Sequence, residues 1–154
     1  MYVVKYTKEQ VFGFLEAEAV MSIAVSSSDG PLSSVVLYAI DDDFRFTFVT
    51  HKSSRKAQAL LSDNRISVSI WNQQQMLVQM SGTVKEMTET DERMKGFDAV
   101  VNTSTTVKDL WPPLLTINAG EYIVFTITPE WIRALDLTEA KIAPHESPFT
   151  EIPL

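Results

Sequence analysis

The sequence predicts a mainly β fold with short helices: six antiparallel strands closed into a small barrel, with three helices inserted. Three observations carry that expectation. Apolar and polar residues alternate with period two in most β-rich segments, which marks an antiparallel sheet and not a continuously apolar parallel one. Turn chemistry, above all Asp29-Gly30-Pro31, joins neighbouring strands as hairpins. A chain of 154 residues, 45% hydrophobic with only 5 Gly, is long enough to bury one core without a disulfide or metal staple. Residues 1–154 therefore read as a single domain.

Each element has a local reason. Thr7 and Gln10 form a capping-box pattern ahead of Val11, Phe12, Phe14, Leu15 and Ala19, so residues 8–18 read as an amphipathic helix. Residues 19–27 are small and apolar and stop at the Asp29-Gly30-Pro31 turn. A return strand runs from Leu32 to Ile40 and is broken by Asp41-Asp42-Asp43. Phe44, Phe46 and Phe48 then share one face of a strand, with Arg45 and Thr47 on the other. Residues 54–62 read as a helix capped by Ser53 or Ser54, with Ala57, Leu60 and Leu61 on one side.

Ile66, Val68 and Ile70 alternate with Ser67, Ser69 and Trp71 in a fourth strand. Residues 76–87 repeat the pattern, with Val78, Met80, Gly82 and Val84 together on one face. Thr90-Asp91-Glu92 opens a helix to about Phe97, its acids at the positive end of the helix dipole. Residues 101–113 are polar and irregular up to Trp111-Pro112-Pro113, and Glu121–Thr128 is the last strand. From Ala143 onward Pro144, Pro148 and Pro153 mark an extended tail, 143–154.

Composition narrows the function. With 13 basic and 20 acidic side chains the net charge is -7, and no basic stripe exists to displace phosphate counterions, so nucleic acid is not an expected partner. The N-terminus lacks a basic segment followed by an apolar core, and no long apolar run could span a membrane. A soluble cytoplasmic protein is expected. The absence of Cys excludes a thiolate zinc site and a cysteine nucleophile. Two distant histidines, His51 and His145, without ligand-spaced carboxylates make no metal site. Asp41-Asp42-Asp43 read as a solvated hairpin tip.

The most informative stretch is Thr50-His51-Lys52-Ser53-Ser54-Arg55-Lys56-Ala57, where a strand ends and a helix begins. Free N–H groups at a helix N-terminus, beside a hydroxyl and two cations, suit a phosphate. Arg supplies a planar fork and Lys a point charge. The same residues are also compatible with a plain Ser-capped helix carrying two solvated cations.

The Asp29-Gly30-Pro31 hairpin, the strand Ser34-Val35-Val36-Leu37-Tyr38, the aromatic strand ending in Thr50 and the helix opened by Ser54-Arg55-Lys56 recur in order over residues 10–137, with Gly82 and Thr128-Pro129-Glu130-Trp131 beyond them. This arrangement resembles the FMN-binding split barrel of pyridoxamine 5′-phosphate oxidase and its relatives. The resemblance implies a six-stranded split barrel in which Arg55 and Lys56 hold the FMN phosphate with Ser54. It places Val35 and Val36 along the isoalloxazine ring and has Val49 and Thr50 line the same cleft. It also implies a homodimer with a flavin at the subunit interface, contacted from both chains.

Two departures bear on substrate. The oxidases proper carry Arg where this chain has Ser34, and Gln where it has Leu77, with Gln79 two residues further along the same face. The Arg- and His-bearing C-terminal segment that grips pyridoxal phosphate is also missing, so FMN phosphate binding transfers and substrate identity does not. His51 lies beside the site. Of Trp71, Trp111 and Trp131, large apolar groups that ordinarily pack in cores or interfaces, Trp111 in its Pro-flanked loop is the expected flavin or substrate contact. No proton-transfer residue is identifiable.

The expectation is an FMN-dependent oxidoreductase taking electrons from a reduced nicotinamide or a small organic substrate. The alternatives are a flavin-binding stress protein without turnover, or a split barrel that binds deazaflavin or haem.

Overall fold

The structure, a computed structural model, describes residues 6–72, 76–106, 121–136 and 149–154. In chain order the elements are α1 (Lys8–Ala17), β1 (Val20–Ser27), β2 (Gly30–Leu37), β3 (Ala39–Ile40), β4 (Phe46–His51), α2 (Arg55–Ser62), β5 (Arg65–Trp71), β6 (Met76–Glu86), α3 (Thr90–Thr106), β7 (Tyr122–Asp136) and β8 (Thr150–Ile152). The strands form one antiparallel sheet in the order β2-β1-β5-β6-β7-β4-β3, with β8 added to β7.

Strand β2 runs through Tyr38 straight into β3, yet the two lie at opposite ends of this path. The sheet must therefore curl until its ends meet, which brings β2 against β4. No ladder joins β2 to β4. That unbonded seam is the split of a split barrel, and the fold is of that class.

Alternation fixes what the barrel encloses. Met21, Ile23 and Val25 of β1, Val68 and Ile70 of β5, Val78 and Met80 of β6 and Phe125 and Ile127 of β7 point inward into one buried cluster. Helices α1 and α2 plug that interior with Val11, Phe14 and Leu15, and with Ala57, Ala59 and Leu60. The Thr7 capping box is present in full, the Gln10 N–H donating to Thr7 Oγ1 at 3.1 Å and Gln10 Oε1 accepting from the Thr7 N–H at 2.9 Å. Helix α3 instead covers the outside of the sheet, packing Phe97 and Val100 over Leu37, Val49, Tyr122 and Val124. This explains why β7 is buried on both faces between Tyr122 and Phe125.

Several boundaries differ from the sequence expectation. The return strand begins at Gly30 and splits at Tyr38, because Ala39 and Ile40 pair with β4 and not with β1. This split, and β8 in the tail, give eight strands where six were expected. Phe44 stands outside β4, at φ 58 in the turn. There the Asp41 carboxylate accepts the Asp43 and Arg45 N–H groups at 2.9 and 3.0 Å, and the Phe44 ring stays buried 5.5 Å from Phe12.

Helix α3 continues to Thr106 where an end near Phe97 was expected, since Val100 and Val101 extend its apolar face into the second cluster. Residues 101–106 are thus helical and not irregular. Strand β7 runs on to Asp136 past Thr128, accommodating Pro129 by a register shift opposite Ser81 and Gly82. The tail is not all coil: Thr150–Ile152 pair with Ile132–Ala134, and Ile152 is buried. Trp71 and Trp131 are exposed on the outer face, outside the core in which large aromatic residues usually pack.

Candidate functional site at the barrel seam

The site is built outward from Thr50, a buried polar side chain at the end of β4. Its Oγ1 lies 2.9 Å from Ser54 Oγ, which in turn accepts the Ala57 N–H at 3.2 Å. Ser54, and not Ser53, is therefore the N-cap, pinned on one side by the strand and on the other by the helix it starts. The intervening loop is braced at three points. The Ser54 N–H donates to the His51 carbonyl (3.0 Å), the Lys52 N–H to the Glu121 carbonyl (2.8 Å), and Gln58 Nε2 to the Lys52 carbonyl (2.7 Å).

This framework makes Arg55 and Lys56 the first two residues of α2, where the backbone N–H groups have no partner within the helix. Arg55 is exposed and Lys56 half-buried. Burial lowers the Lys56 ammonium below its ordinary pKa, the response of a cation that lacks a counter-charge. Among the described residues neither side chain has an acidic partner. Two unneutralised cations at a rigid helix N-terminus are what a phosphate monoester requires.

The seam lies beside it. Among the described residues strand β2 is hydrogen-bonded only to β1, and β4 beyond Thr47 only to β7. Alternate N–H and C=O groups along both free edges therefore face the seam. Val35 is 45% exposed on the outer face, whereas Val36 is buried in the barrel interior. Val49 is buried beneath α3, and Thr50 is committed to Ser54. Of these four, Val35 alone presents a side chain; of the neighbours Val49 and Thr50 only one turns its N–H and C=O to the seam, because the other is bonded to β7. Trp111 and His145 lie outside the described residues.

His51 is part of the brace. Its Nδ1 accepts the Ser53 N–H at 3.1 Å and sits 2.7 Å from the Ser53 hydroxyl, while Nε2 lies 3.8 Å from a Glu121 carboxylate oxygen. Asp41 and Asp43 are paired with Arg45, and no metal-binding cluster of His or carboxylate groups occurs among the described residues.

One feature escaped the sequence reading. Arg133 of β7 faces outward and donates from Nε and Nη2 to Gln79 Oε1 at 3.0 and 2.8 Å. Its guanidinium lies 4.1 Å from the centre of the Phe149 ring and 5.4 Å from that of Trp131. The signal was available only as cross-strand register, Gln79 opposite Arg133, which one sequence does not display.

Comparison with known proteins agrees with the fold. A family model described as pyridoxamine 5′-phosphate oxidase matches residues 7–136. The chain belongs to that family. No curated protein sequence matches.

Among solved structures, a conserved hypothetical protein from Mycobacterium tuberculosis superposes with a TM-score of 0.73 at 19% identity, over 96% of this chain and 94% of its own. A pyridoxamine 5′-phosphate oxidase-related, FMN-binding protein from Nostoc punctiforme gives 0.60 at 12% identity, over 79% and 76%. A haem-binding protein from Mycobacterium smegmatis gives 0.62 at 16% identity, over 77% of this chain and 49% of its own. At these identities the likeness is one of fold.

Proposed function

We propose that this member of the pyridoxamine 5′-phosphate oxidase family is a homodimeric FMN-dependent oxidoreductase whose flavin lies along the β2–β4 seam. The observation that carries the reading is the pair Arg55 and Lys56, without acidic partners among the described residues, at the Ser54-capped start of α2. The phosphate would take the Arg55 fork, the Lys56 ammonium and the free N–H groups of the first turn. The ring would lie against Val35, with the seam-facing backbone groups of β2 and of β4, at Val49 or Thr50, meeting its polar edge.

When bound, FMN supplies the hydride and electron chemistry. The chain's own part is to anchor the phosphate, fix the ring against a rigid sheet and limit access of water to it. The donor is a reduced nicotinamide or a small organic molecule. Leu77 and Ser34 remove the Gln and Arg of the oxidases proper, so pyridoxamine phosphate is not the assigned substrate.

A flavin-binding protein without turnover would use the same site, and a phosphorylated deazaflavin the same cations. Haem is the second reading, motivated by the mycobacterial neighbour of similar fold. Absorption spectroscopy of the purified protein separates the readings: flavin bands with FMN released on heating support the first, and a Soret band overturns it. Oxidation of reduced nicotinamide with a dye acceptor then separates enzyme from carrier. FMN should also bind far more tightly than riboflavin, which lacks the phosphate, and equal affinities would remove the basis for the site.

A further inference from the structure

We infer that the cavity between α2 and the start of α3 is a binding site for an aromatic carboxylate, with Arg93 taking the carboxylate group. The inference does not depend on the flavin reading, because none of Val35, Val36, Val49, Thr50, Arg55 and Lys56 lines this cavity.

The cavity holds about 710 Å³, within the range of small-molecule sites. The loop after β4, the solvent side of α2, the turn from β6 into α3 and the first residues of β7 form its walls. Two consecutive carbonyls at the start of β7 fix the cations there. The Glu121 carbonyl accepts the Lys52 N–H at 2.8 Å, and the Tyr122 carbonyl accepts a hydrogen from Arg93 Nη2 at 2.8 Å. The Arg93 guanidinium also lies 4.0 Å from the centre of the Tyr122 ring, which is itself stacked on Phe97 at 4.4 Å. A half-buried guanidinium held by a carbonyl and a ring is oriented before any ligand arrives.

That cation is not neutralised. No carboxylate pairs with Arg93 or with Lys52 among the described residues, and the remaining N–H groups of the guanidinium have no partner there. Glu89, just before α3, is spent elsewhere. Its carboxylate accepts the Asp91 and Glu92 N–H groups at 3.1 and 2.8 Å, so the chain's own acid closes the helix N-terminus. Of the lining residues only Glu86 carries a carboxylate, and it is exposed. Two cations against one acid, in a chain of net charge -7, make this lining locally positive.

Leu61 supplies the other half of the recognition. Helix α2 buries Ala57 and Leu60, whereas Leu61 is exposed and lines the cavity with Met87. An inorganic anion would leave these apolar groups unused, and a purely apolar ligand would leave the Arg93 N–H groups facing no acceptor. A planar ring bearing a carboxylate satisfies both. Its two oxygens match the Arg93 fork with the Lys52 ammonium beside them, and its ring packs on Leu61 and Met87.

Titration calorimetry of the full chain with 2-naphthoate and with uncharged 2-naphthamide tests this. The carboxylate should bind about tenfold or more tightly than the amide. Arg93→Gln should remove that preference, weakening 2-naphthoate about tenfold or more and leaving 2-naphthamide unchanged. Leu61→Gln should weaken both ligands alike. The double change Arg55→Ala with Lys56→Ala should leave 2-naphthoate affinity intact, and a loss there would move the anion to the start of α2 and overturn the inference.

Equal affinities for the two ligands, no binding of 2-naphthoate, or an Arg93→Gln protein that keeps the preference would also overturn it. If Arg93→Gln fails to fold, Lys52→Gln takes its place, since the Lys52 backbone bond to Glu121 survives the change. It should cost a few-fold in 2-naphthoate affinity and nothing for the amide, and an unchanged preference counts against the inference. FMN affinity of the wild-type protein, measured separately, decides the flavin reading and leaves this one untouched.

Discussion

Arg55 and Lys56 are where chemistry and sequence meet most directly. A phosphate monoester of charge about -1.5 to -2 must approach a chain of net charge -7, so attraction has to be local. Charge-assisted hydrogen bonds contribute about 1.5–3 kcal/mol each. Arg55→Ala should therefore weaken FMN binding by about 10- to 150-fold, and the Arg55/Lys56 double change should give colourless protein that still folds. Fluorescence titration with FMN checks both, and full affinity in the double mutant would return Ser54-Arg55-Lys56 to a simple helix cap.

Lys56 adds a pH signature. Burial lowers its pKa in the free protein, and a bound phosphate raises it again, so binding is linked to holding that proton. Affinity should be intact while Lys56 is charged and fall as pH rises through its depressed pKa, below the ordinary lysine range. Riboflavin affinity should show no such fall. A flat FMN profile through alkaline pH would remove Lys56 from the phosphate site.

At the scale of elements, what was legible depended on whether the cause was local. Thr7 with Gln10, the Asp29-Gly30 turn and the Ser54 cap are local chemistry, and all three stand where the sequence predicts them. The alternation of β5 and β6 was readable for the same reason. The division of β2 from β3, the extent of α3 and the existence of β8 depend on partners distant in the chain. Thr150–Ile152 is three residues long in a Pro-rich tail, and only pairing with β7 makes it a strand. The candidate site divides in the same way: Ser54, Arg55 and Lys56 were readable as a cap with cations, whereas Arg133 with Gln79 was not.

Two substitutions examine this level. Ile152 packs into the barrel interior, so Ile152→Ala should cost about 2–5 kcal/mol in denaturant unfolding, while Leu154→Ala, at an exposed end, should stay within about 0.5 kcal/mol. Equal effects would mean that β8 does not dock. Gly82 faces the β7 bulge so closely that an added Cβ would overlap the Thr128 carbonyl oxygen and reach within 3.0 Å of Pro129 Cα. These are backbone atoms and cannot step aside. Gly82→Ala should therefore destabilise by about 1–3 kcal/mol, and an unchanged unfolding midpoint would show that β7 can move away.

For the whole molecule the decisive question is what covers the outer face of β1, β5 and β6, which no described helix packs over. Helices α1 and α2 are spent plugging the interior, and α3 lies over β4 and β7. A face of small residues bordered by exposed Val35, Trp71 and Trp131 is suited to a second sheet. If the homodimer's two-fold axis runs along β5, residue 69 meets its own copy across the interface, and any charge placed there faces itself at short range. Ser69→Arg should then convert the dimer into a monomer near 17.3 kDa by light scattering while leaving the circular dichroism spectrum intact, because the Ser69 side chain points away from the core. FMN affinity should fall with it, since each cleft would lose the wall that the other chain provides. Arginine at Ser26, on the same face of β1 but toward the hairpin end, should perturb association less. A Ser69→Arg protein that remained dimeric with full FMN affinity would place the interface on another surface.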